Sequence, residues 1–159
     1  MAHPRELHSC KYTYLGKKHK SIPLLEVSIG SRTSKKRIKA LVDTGSTYGL
    51  VISKRDMRRM KLNLTQKVNA TGEPSPIILP DGRLVDTDVY EAICQIGEIE
   101  RKIQVYAMDT ANPYPDPDRK AENKRPYRAF LGCEFLNEYD TLFKGKKGEL
   151  SICNPKIVD

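Results

Sequence analysis

The chain has little that would suit a membrane or an oxidising compartment. No stretch of its 159 residues approaches the roughly 18 consecutive apolar residues that a membrane helix needs. The sequence opens with Met1-Ala2-His3-Pro4-Arg5, which lacks the apolar core of a secretory signal. Its four cysteines, at positions 10, 94, 133 and 153, form no CxxC pair, and this scatter favours reduced thiols over a disulfide framework. We therefore expect a cytoplasmic protein with no membrane partner.

Candidate metal ligands are also sparse. The three histidines, His3, His8 and His19, all fall within the first 20 residues, and their spacing to Cys10 fits no zinc pattern. The sequence therefore predicts no metal site, and we expect no cofactor.

The positive charge of the chain lies at one end. The formal net charge is +8, and residues 1–39 account for all of it, with ten Lys or Arg against two Glu. We interpret residues 1–20 as a basic, mobile leading segment and residues 21–159 as one domain. The basic runs at 17–20 and 35–37 are short, as in solvated turns, so nucleic acid is not expected as the main partner.

The apolar segments are short and bounded by Gly, Pro, Asp or Asn, which is typical of strands rather than long helices. Strands are predicted at residues 25–29, 38–42, 49–52, 90–96, 99–107 and 150–153, with a hairpin over 77–89. Short helices are predicted at 54–60, where Ser53 and Asp56 have N-cap spacing, and at 133–139. Residues 109–128 contain four prolines and are expected to form a surface loop. The fold class is thus expected to be mostly β.

An acidic residue at the end of an apolar strand is the main chemical signal. Asp43 follows Ala40-Leu41-Val42 directly and begins the run Asp43-Thr44-Gly45-Ser46. Burying a lone carboxylate is expensive, so an acid at this place suggests a function. A plain strand-end turn is the simpler interpretation, because Asp and Gly are common there. The context favours function, since a glycine-tipped hairpin follows, and later Phe130-Leu131-Gly132 precedes a short helix.

This order of motifs resembles the single-domain, retroviral-type (retropepsin-like) aspartic proteases. The family's Asp-Thr/Ser-Gly signature after an apolar run is matched at residues 41–46. Its second signature, two apolar residues and a glycine before a helix, is matched at residues 130–132. Gly132 follows Asp43 by 89 positions, a wider spacing than in compact viral members, for which the loop at 109–128 and a long flap region could account. The resemblance covers residues 22–153 and implies a closed β-barrel lobe with one or two short helices.

The resemblance implies a homodimeric aspartic endopeptidase acting on a peptide or protein substrate. Each chain carries one Asp-Thr-Gly, so two subunits would each give one Asp43 to a pair of carboxylates that activates a water. Thr44 would hold the two loops together across the dimer axis, and Gly45 would permit close backbone approach. Ser46 would donate its hydroxyl to the carboxylate. No metal takes part in this chemistry.

The resemblance also assigns roles away from Asp43. Leu131 and Gly132 would support the active-site loop. Cys133 stands where relatives often carry Arg or Asp, so a salt bridge that supports some viral dimers is expected to be absent. Residues 150–152 are the natural candidate for a terminal strand that pairs between subunits. The flap tip that closes over substrate would consist of Leu79, Pro80, Asp81, Gly82 and Arg83.

A second interpretation is a domain of the same fold that does not cleave peptides. Such a domain would serve as a dimerising or peptide-binding module. The intact Asp43-Thr44-Gly45 favours the enzyme.

Overall fold

The computed structural model describes residues 6–11, 13–14, 21–65, 67–68, 75–79, 82–109, 128–144 and 149–153. These residues form thirteen strands and two short helices. The strands are β1 (Glu6–Lys11), β2 (Thr13–Tyr14), β3 (Ser21–Ile22), β4 (Leu24–Gly30), β5 (Lys35–Val42), β6 (Leu50–Ser53), β7 (Ile77–Ile78), β8 (Leu84–Val85), β9 (Thr87–Ile96), β10 (Ile99–Met108), β11 (Ala129–Leu131), β12 (Asp140–Lys144) and β13 (Glu149–Cys153). The helices are α1 (Lys54–Arg59) and α2 (Cys133–Leu136).

Six of the strands close into a barrel in the order β10-β6-β11-β5-β4-β9. Two antiparallel hairpins, β4–β5 and β9–β10, provide four of the six strands, and β4 also pairs with β9. Closure satisfies the hydrogen-bonding groups along the strand edges, which an open sheet would leave exposed. The expectation of a mostly β chain with a closed barrel and one or two short helices is confirmed.

Strand β11 joins the barrel between two strands that are close together in sequence. It pairs in parallel with β5, placing Leu131 opposite Val42, and antiparallel with β6, placing Leu131 opposite Leu50. The chain between β5 and β6 must therefore cross the end of β11. The segment that makes this crossing is residues 43–49, which contain the Asp-Thr-Gly motif.

The barrel strands bury apolar side chains on both of their faces. Side chains at alternate positions, such as Leu25, Val27 and Ile29 of β4, fill the interior. Side chains from the opposite faces of β6 and β11 form a second, smaller cluster outside the barrel. Its buried members are Val51, Ile77, Leu79, Met108 and Phe130. This outer cluster attaches the β7–β8 hairpin to the barrel wall.

Helix α1 begins as its sequence predicts. The Ser53 side chain accepts a hydrogen bond from the Asp56 N–H at 2.9 Å and donates one to Asp56 Oδ2 at 3.0 Å. Met57 faces the core. The predicted N-cap is confirmed, and the helix occupies Lys54–Arg59, one residue less than expected.

Strands β1, β13 and β12 form a separate three-stranded sheet in that order. The prediction that residues 150–152 pair between subunits is wrong, because β13 is the central strand and both its edges are hydrogen-bonded within the chain. Strand β1 takes one of those edges, so Glu6–Lys11 form a paired strand inside the leading segment predicted to be mobile. Strand β12, which the sequence analysis did not identify, takes the other.

Several predicted segments lie outside the described residues. They are Pro80 and Asp81 of the flap tip, residues 110–127 of the proline-rich loop and residues 17–20 of the first basic run. Within the part of the chain that the structure describes, no helix is long and apolar enough to cross a membrane.

A small ion-pair network fastens α1 to the ends of β9 and β10. Lys54 Nζ lies 2.9 Å from Asp88 Oδ2 and 3.0 Å from Asp109 Oδ1, and Lys67 Nζ lies 2.7 Å from Asp88 Oδ1. Hydrogen bonds from Lys67 and Lys54 hold the pKa of Asp88 below its ordinary value. Part of the stability of this end of the barrel therefore depends on an ionised Asp88.

We predict that Asp88→Asn reduces the loss of stability on acidification. Because the folded-state pKa is lowered, the contribution is complete above the ordinary aspartate pKa of about 3.9 and is lost as pH falls through the folded value. The pairs are partly exposed, so the contribution should be about 0.2–1 kcal/mol. Urea unfolding from about pH 5 to about pH 2 measures it. The exposed Asp86→Asn control should follow the wild type, and a parallel loss in Asp88→Asn would contradict the assignment.

Candidate active site

The loop at residues 43–49 is held on the end of β11 by backbone hydrogen bonds. Its position follows from the pairing of β11 between β5 and β6, and the bonds occupy its peptide groups where it crosses. They run from Asp43 N–H to the Leu131 carbonyl (2.9 Å), from Gly132 N–H to the Gly49 carbonyl (2.8 Å) and from Cys133 N–H to the Ser46 carbonyl (2.7 Å). The loop is thus bonded to Leu131, Gly132 and Cys133, the residues of the second sequence motif and its successor.

Gly132 lies where the crossing chain leaves no room for a side chain. A Cβ atom on Gly132 would meet the Tyr48 carbonyl oxygen and would lie 2.7 Å from the carbonyl oxygen of Ser46. Only glycine lets the two backbones approach this closely. The structure therefore gives a physical reason for the glycine of the apolar-apolar-Gly motif.

The Asp43 side chain folds back onto its own turn. The Gly45 N–H donates to Asp43 Oδ1 at 3.0 Å, an arrangement in which an aspartate closes its own turn. Asp43 is half-buried, whereas Thr44 and Gly45 are exposed. The carboxylate therefore sits at the end of a buried strand and still reaches the surface of the molecule.

A cavity of about 460 Å³ opens beside this carboxylate. Asp43, Gly45, Ser46 and Thr47 form its polar side. The remaining lining residues are apolar or aromatic: Tyr48, Val51, Ile77, Ile78, Leu79 and Phe130. The outer faces of β6 and β11 contribute Val51 and Phe130, and the β7–β8 hairpin contributes the isoleucines and Leu79. A carboxylate at the rim of an apolar cleft is the arrangement expected of a ligand or active site.

The hairpin contributes the predicted flap residues, which occupy different environments. Leu79 is buried at 3% exposure and lines the cavity, whereas Gly82 and Arg83 are exposed. The Leu79 N–H donates to the Arg83 carbonyl at 2.9 Å, and the Gly82 N–H donates to the Leu79 carbonyl at 2.8 Å. Gly82 has φ of +81°, a conformation that favours glycine. The glycine predicted at the hairpin tip therefore serves a tight turn.

Cys133 contacts the loop through its side chain as well as its backbone. Its Sγ donates a hydrogen bond to the Thr44 carbonyl at 3.2 Å. A thiol is a weak donor, so this bond adds little to the backbone bonds beside it. Cys94 differs, because it is fully buried in the barrel core and burial raises the pKa of its thiol to about 12.

Sequence reasoning identified Leu79 but missed the other apolar walls of the cavity. Tyr48 and Val51 follow the Asp-Thr-Gly motif closely, but nothing in their spacing distinguished them from ordinary loop and strand residues. Phe130 stands out in the sequence only as the first residue of the apolar-apolar-Gly motif. Its place between Leu131 and Ala129, which both face the core, could have indicated the opposite face.

Among the described residues, no group of three or more His, Cys, Asp or Glu is placed to hold a metal ion.

Comparisons with known proteins give a likeness of structure. No protein-family model and no curated protein matches the chain. Among solved structures, it is similar to EIAV protease complexed with the inhibitor HBY-793, with a TM-score of 0.47 and 18% sequence identity. The similarity covers 79% of this chain and 91% of that chain. This likeness concerns the path of the chain and assigns no residue a role.

We predict that Gly132→Ala destabilises the protein by about 1–3 kcal/mol, as expected for overpacking a close backbone approach. The added methyl would push the Tyr48 and Ser46 carbonyls away and loosen the loop that carries Asp43. Urea unfolding measures the loss. Cys133→Ala is the matched control, because it keeps the neighbouring backbone bonds and removes only the weak thiol bond. Equal stabilities of Gly132→Ala and wild type would show that the crossing is not tightly packed.

Proposed function

We propose that this protein is an aspartic endopeptidase that acts as a homodimer, with one Asp43 from each subunit. The observation that carries the proposal is the Asp43 carboxylate at the rim of an apolar cavity under a hairpin. The loop's attachment to β11 supports it, since a catalytic group must be held in place by rigid elements. The intact Asp-Thr-Gly motif, which resembles that of the retropepsin-like proteases, points the same way.

The chemistry requires two carboxylates that share one proton. Two such groups a few ångströms apart do not both ionise, so one stays protonated and one stays charged. The charged group takes a proton from a water molecule, whose oxygen attacks the carbonyl carbon of the peptide. The protonated group donates its hydrogen to the carbonyl oxygen. Collapse of the tetrahedral intermediate breaks the C–N bond. The carboxyl group that took the water proton donates it to the departing nitrogen, and a hydroxyl of the intermediate returns its proton to the other carboxylate.

A dimer is needed because the chain carries one Asp-Thr-Gly motif. Thr44 and Gly45 are exposed, so the tip of the loop is open to a symmetry-related copy. In the dimer, Thr44 would bond across the two-fold axis, Gly45 would allow the loops to approach, and Ser46 would donate to the carboxylate.

The cavity walls suggest the substrate class. An extended peptide bound along the loop would place one side chain among Tyr48, Val51, Ile77, Leu79 and Phe130, so we propose an apolar residue beside the scissile bond. The hairpin would cover the peptide and exclude water, which strengthens the electrostatic interactions of the carboxylates. Leu79, Pro80, Asp81, Gly82 and Arg83 would form this cover.

A peptide-binding or dimerising module of the same fold is the second candidate. The apolar cavity would suit a bound peptide whether or not the bond is cleaved. The scattered cysteines favour a reducing compartment, and we propose the cytoplasm as the site of action for either function.

We predict that Asp43→Asn removes peptidase activity by several orders of magnitude while the protein stays folded, because the amide cannot accept the water proton. Purified protein incubated with a peptide library measures cleavage, and urea unfolding verifies the fold. The exposed Asp86→Asn variant is the charge-matched control and should cleave at the wild-type rate. Cleavage by Asp43→Asn at that rate would exclude Asp43 as the catalytic group.

We also predict that activity follows dimerisation. Specific activity should fall on dilution through the dimer dissociation constant, because a monomer holds half of the carboxylate pair. An excess of Asp43→Asn chains added to wild type should suppress activity by more than dilution does, since heterodimers form. Sedimentation that finds a fully active monomer would contradict the mechanism.

A further inference from the structure

The side chain of Tyr48 connects the active-site loop with the hairpin across the cavity. Its Oη accepts a hydrogen bond from the Ile78 N–H at 3.0 Å. Tyr48 belongs to the loop that carries Asp43, and Ile78 belongs to β7 of the hairpin. Both residues line the cavity beside Asp43, one from the loop and one from the hairpin.

The loop end of this connection is firmly placed. The Tyr48 carbonyl accepts from the Glu134 N–H at 3.4 Å. The next residue, Gly49, lies so close to the Gln104 carbonyl that a Cβ atom would collide with it. Glu134 Oε1 in turn accepts from the Gln104 N–H at 3.0 Å. The backbone of Tyr48 is thus set by both α2 and β10.

The ring of Tyr48 is also supported. It packs on the Tyr106 ring with centroids 5.0 Å apart and an interplanar angle of 57°, a tilted geometry that aromatic pairs favour. Tyr106 Oη donates to Gln104 Oε1 at 2.7 Å. The packing on Tyr106 and the fixed backbone of Tyr48 therefore hold the Tyr48 hydroxyl in position next to the hairpin.

The hairpin end of the connection is slight by comparison. Strands β7 and β8 pair through two residues each, Ile77 with Val85 and Ile78 with Leu84. Ile78 and Leu84 are 63% and 67% exposed, so the outer face of the hairpin packs against little. Ile77 and Leu79, which are buried in the outer cluster, and the bond to Tyr48 hold this hairpin over the cavity, and the Thr87 hydroxyl donates to the Ser75 carbonyl at its base. An isolated two-stranded hairpin has little stability of its own.

We propose that Tyr48 is a positioning residue that holds the β7–β8 hairpin in place over the cavity beside Asp43. Its hydroxyl accepts a hydrogen bond from the Ile78 N–H, and this bond keeps the hairpin closed before substrate arrives. Ile77 and Leu79 then stand ready as walls for the substrate side chain. The effect on catalysis rests on the proposed peptidase function, whereas the placement of the hairpin by the Tyr48–Ile78 hydrogen bond does not.

Amide hydrogen exchange tests the Tyr48–Ile78 hydrogen bond without reference to activity. In wild type, the Ile78 amide should exchange more slowly than an unstructured peptide amide. In Tyr48→Phe, which keeps the ring but loses the acceptor, Ile78 should exchange roughly five- to tenfold faster, as expected for one lost hydrogen bond. The Ile52 amide in β6 serves as an internal reference and should be unchanged. Tyr90→Phe is the matched control, since it removes a tyrosine hydroxyl outside this cavity and leaves the Tyr48–Ile78 bond, and Ile78 should exchange there at the wild-type rate.

Three results would overturn the proposal. They are an unprotected Ile78 amide in wild type, an unchanged rate in Tyr48→Phe, and an equal acceleration at Ile78 and Ile52, which would indicate global destabilisation. If the protein cleaves peptides, Tyr48→Phe should raise KM several-fold with a smaller change in kcat, because the wall of the pocket is displaced and the carboxylates are not. If Ile78 exchanges faster in Tyr48→Phe than in wild type but the wild type cleaves no peptide, the peptidase proposal is refuted and the role of Tyr48 in holding the hairpin stands.

Discussion

The pairing of β11 with both β5 and β6 is the constraint on which the candidate site depends, since β5 and β6 are separated by only seven residues. A strand inserted between them forces those seven residues to cross its end. The crossing brings the loop's backbone against Leu131 and Gly132, where its peptide groups find partners that a surface loop would otherwise seek in water. A carboxylate at the first position of such a loop is held by the barrel itself, which is the rigidity that catalysis by positioned groups demands.

The same pairing also builds the cavity. Because side chains alternate along a strand, β6 and β11 each send one residue outward between two that face the core, Val51 in β6 and Phe130 in β11. These outward residues lie next to the loop, so an apolar floor forms beside the carboxylate without any further element. The hairpin completes the cavity by packing Ile77 and Leu79 on that floor. The loop and the floor are thus consequences of one strand order, and the separate β7–β8 hairpin adds the cover.

The elements around this centre differ in how strongly they are attached. The loop is tied by several backbone bonds, and Gly132 removes the side chain that would separate the chains. The hairpin is attached by a few buried side chains and by Tyr48. Elements held by few contacts open at the lowest free energy, so the hairpin should open more readily than the loop. In the separate three-stranded sheet, β1 and β12 enclose β13, so neither edge of that strand is open to another chain.

The features that the sequence determined by itself are those that depend on short-range patterns. Alternation of apolar residues predicted β4, β5, β9 and β10, capping chemistry predicted the start of α1 at Ser53, and an acid at the end of an apolar strand drew attention to Asp43. These features depend on neighbours within a few positions, where spacing and turn chemistry are decisive. Only the tertiary structure decided that β11 lies between β5 and β6, that β13 is a central strand and that Tyr48 reaches Ile78. Each of these depends on pairing between segments far apart in the chain, and many arrangements of short apolar strands satisfy the same local pattern. The choice among them is made by the burial of all their apolar faces at once, which no single segment encodes.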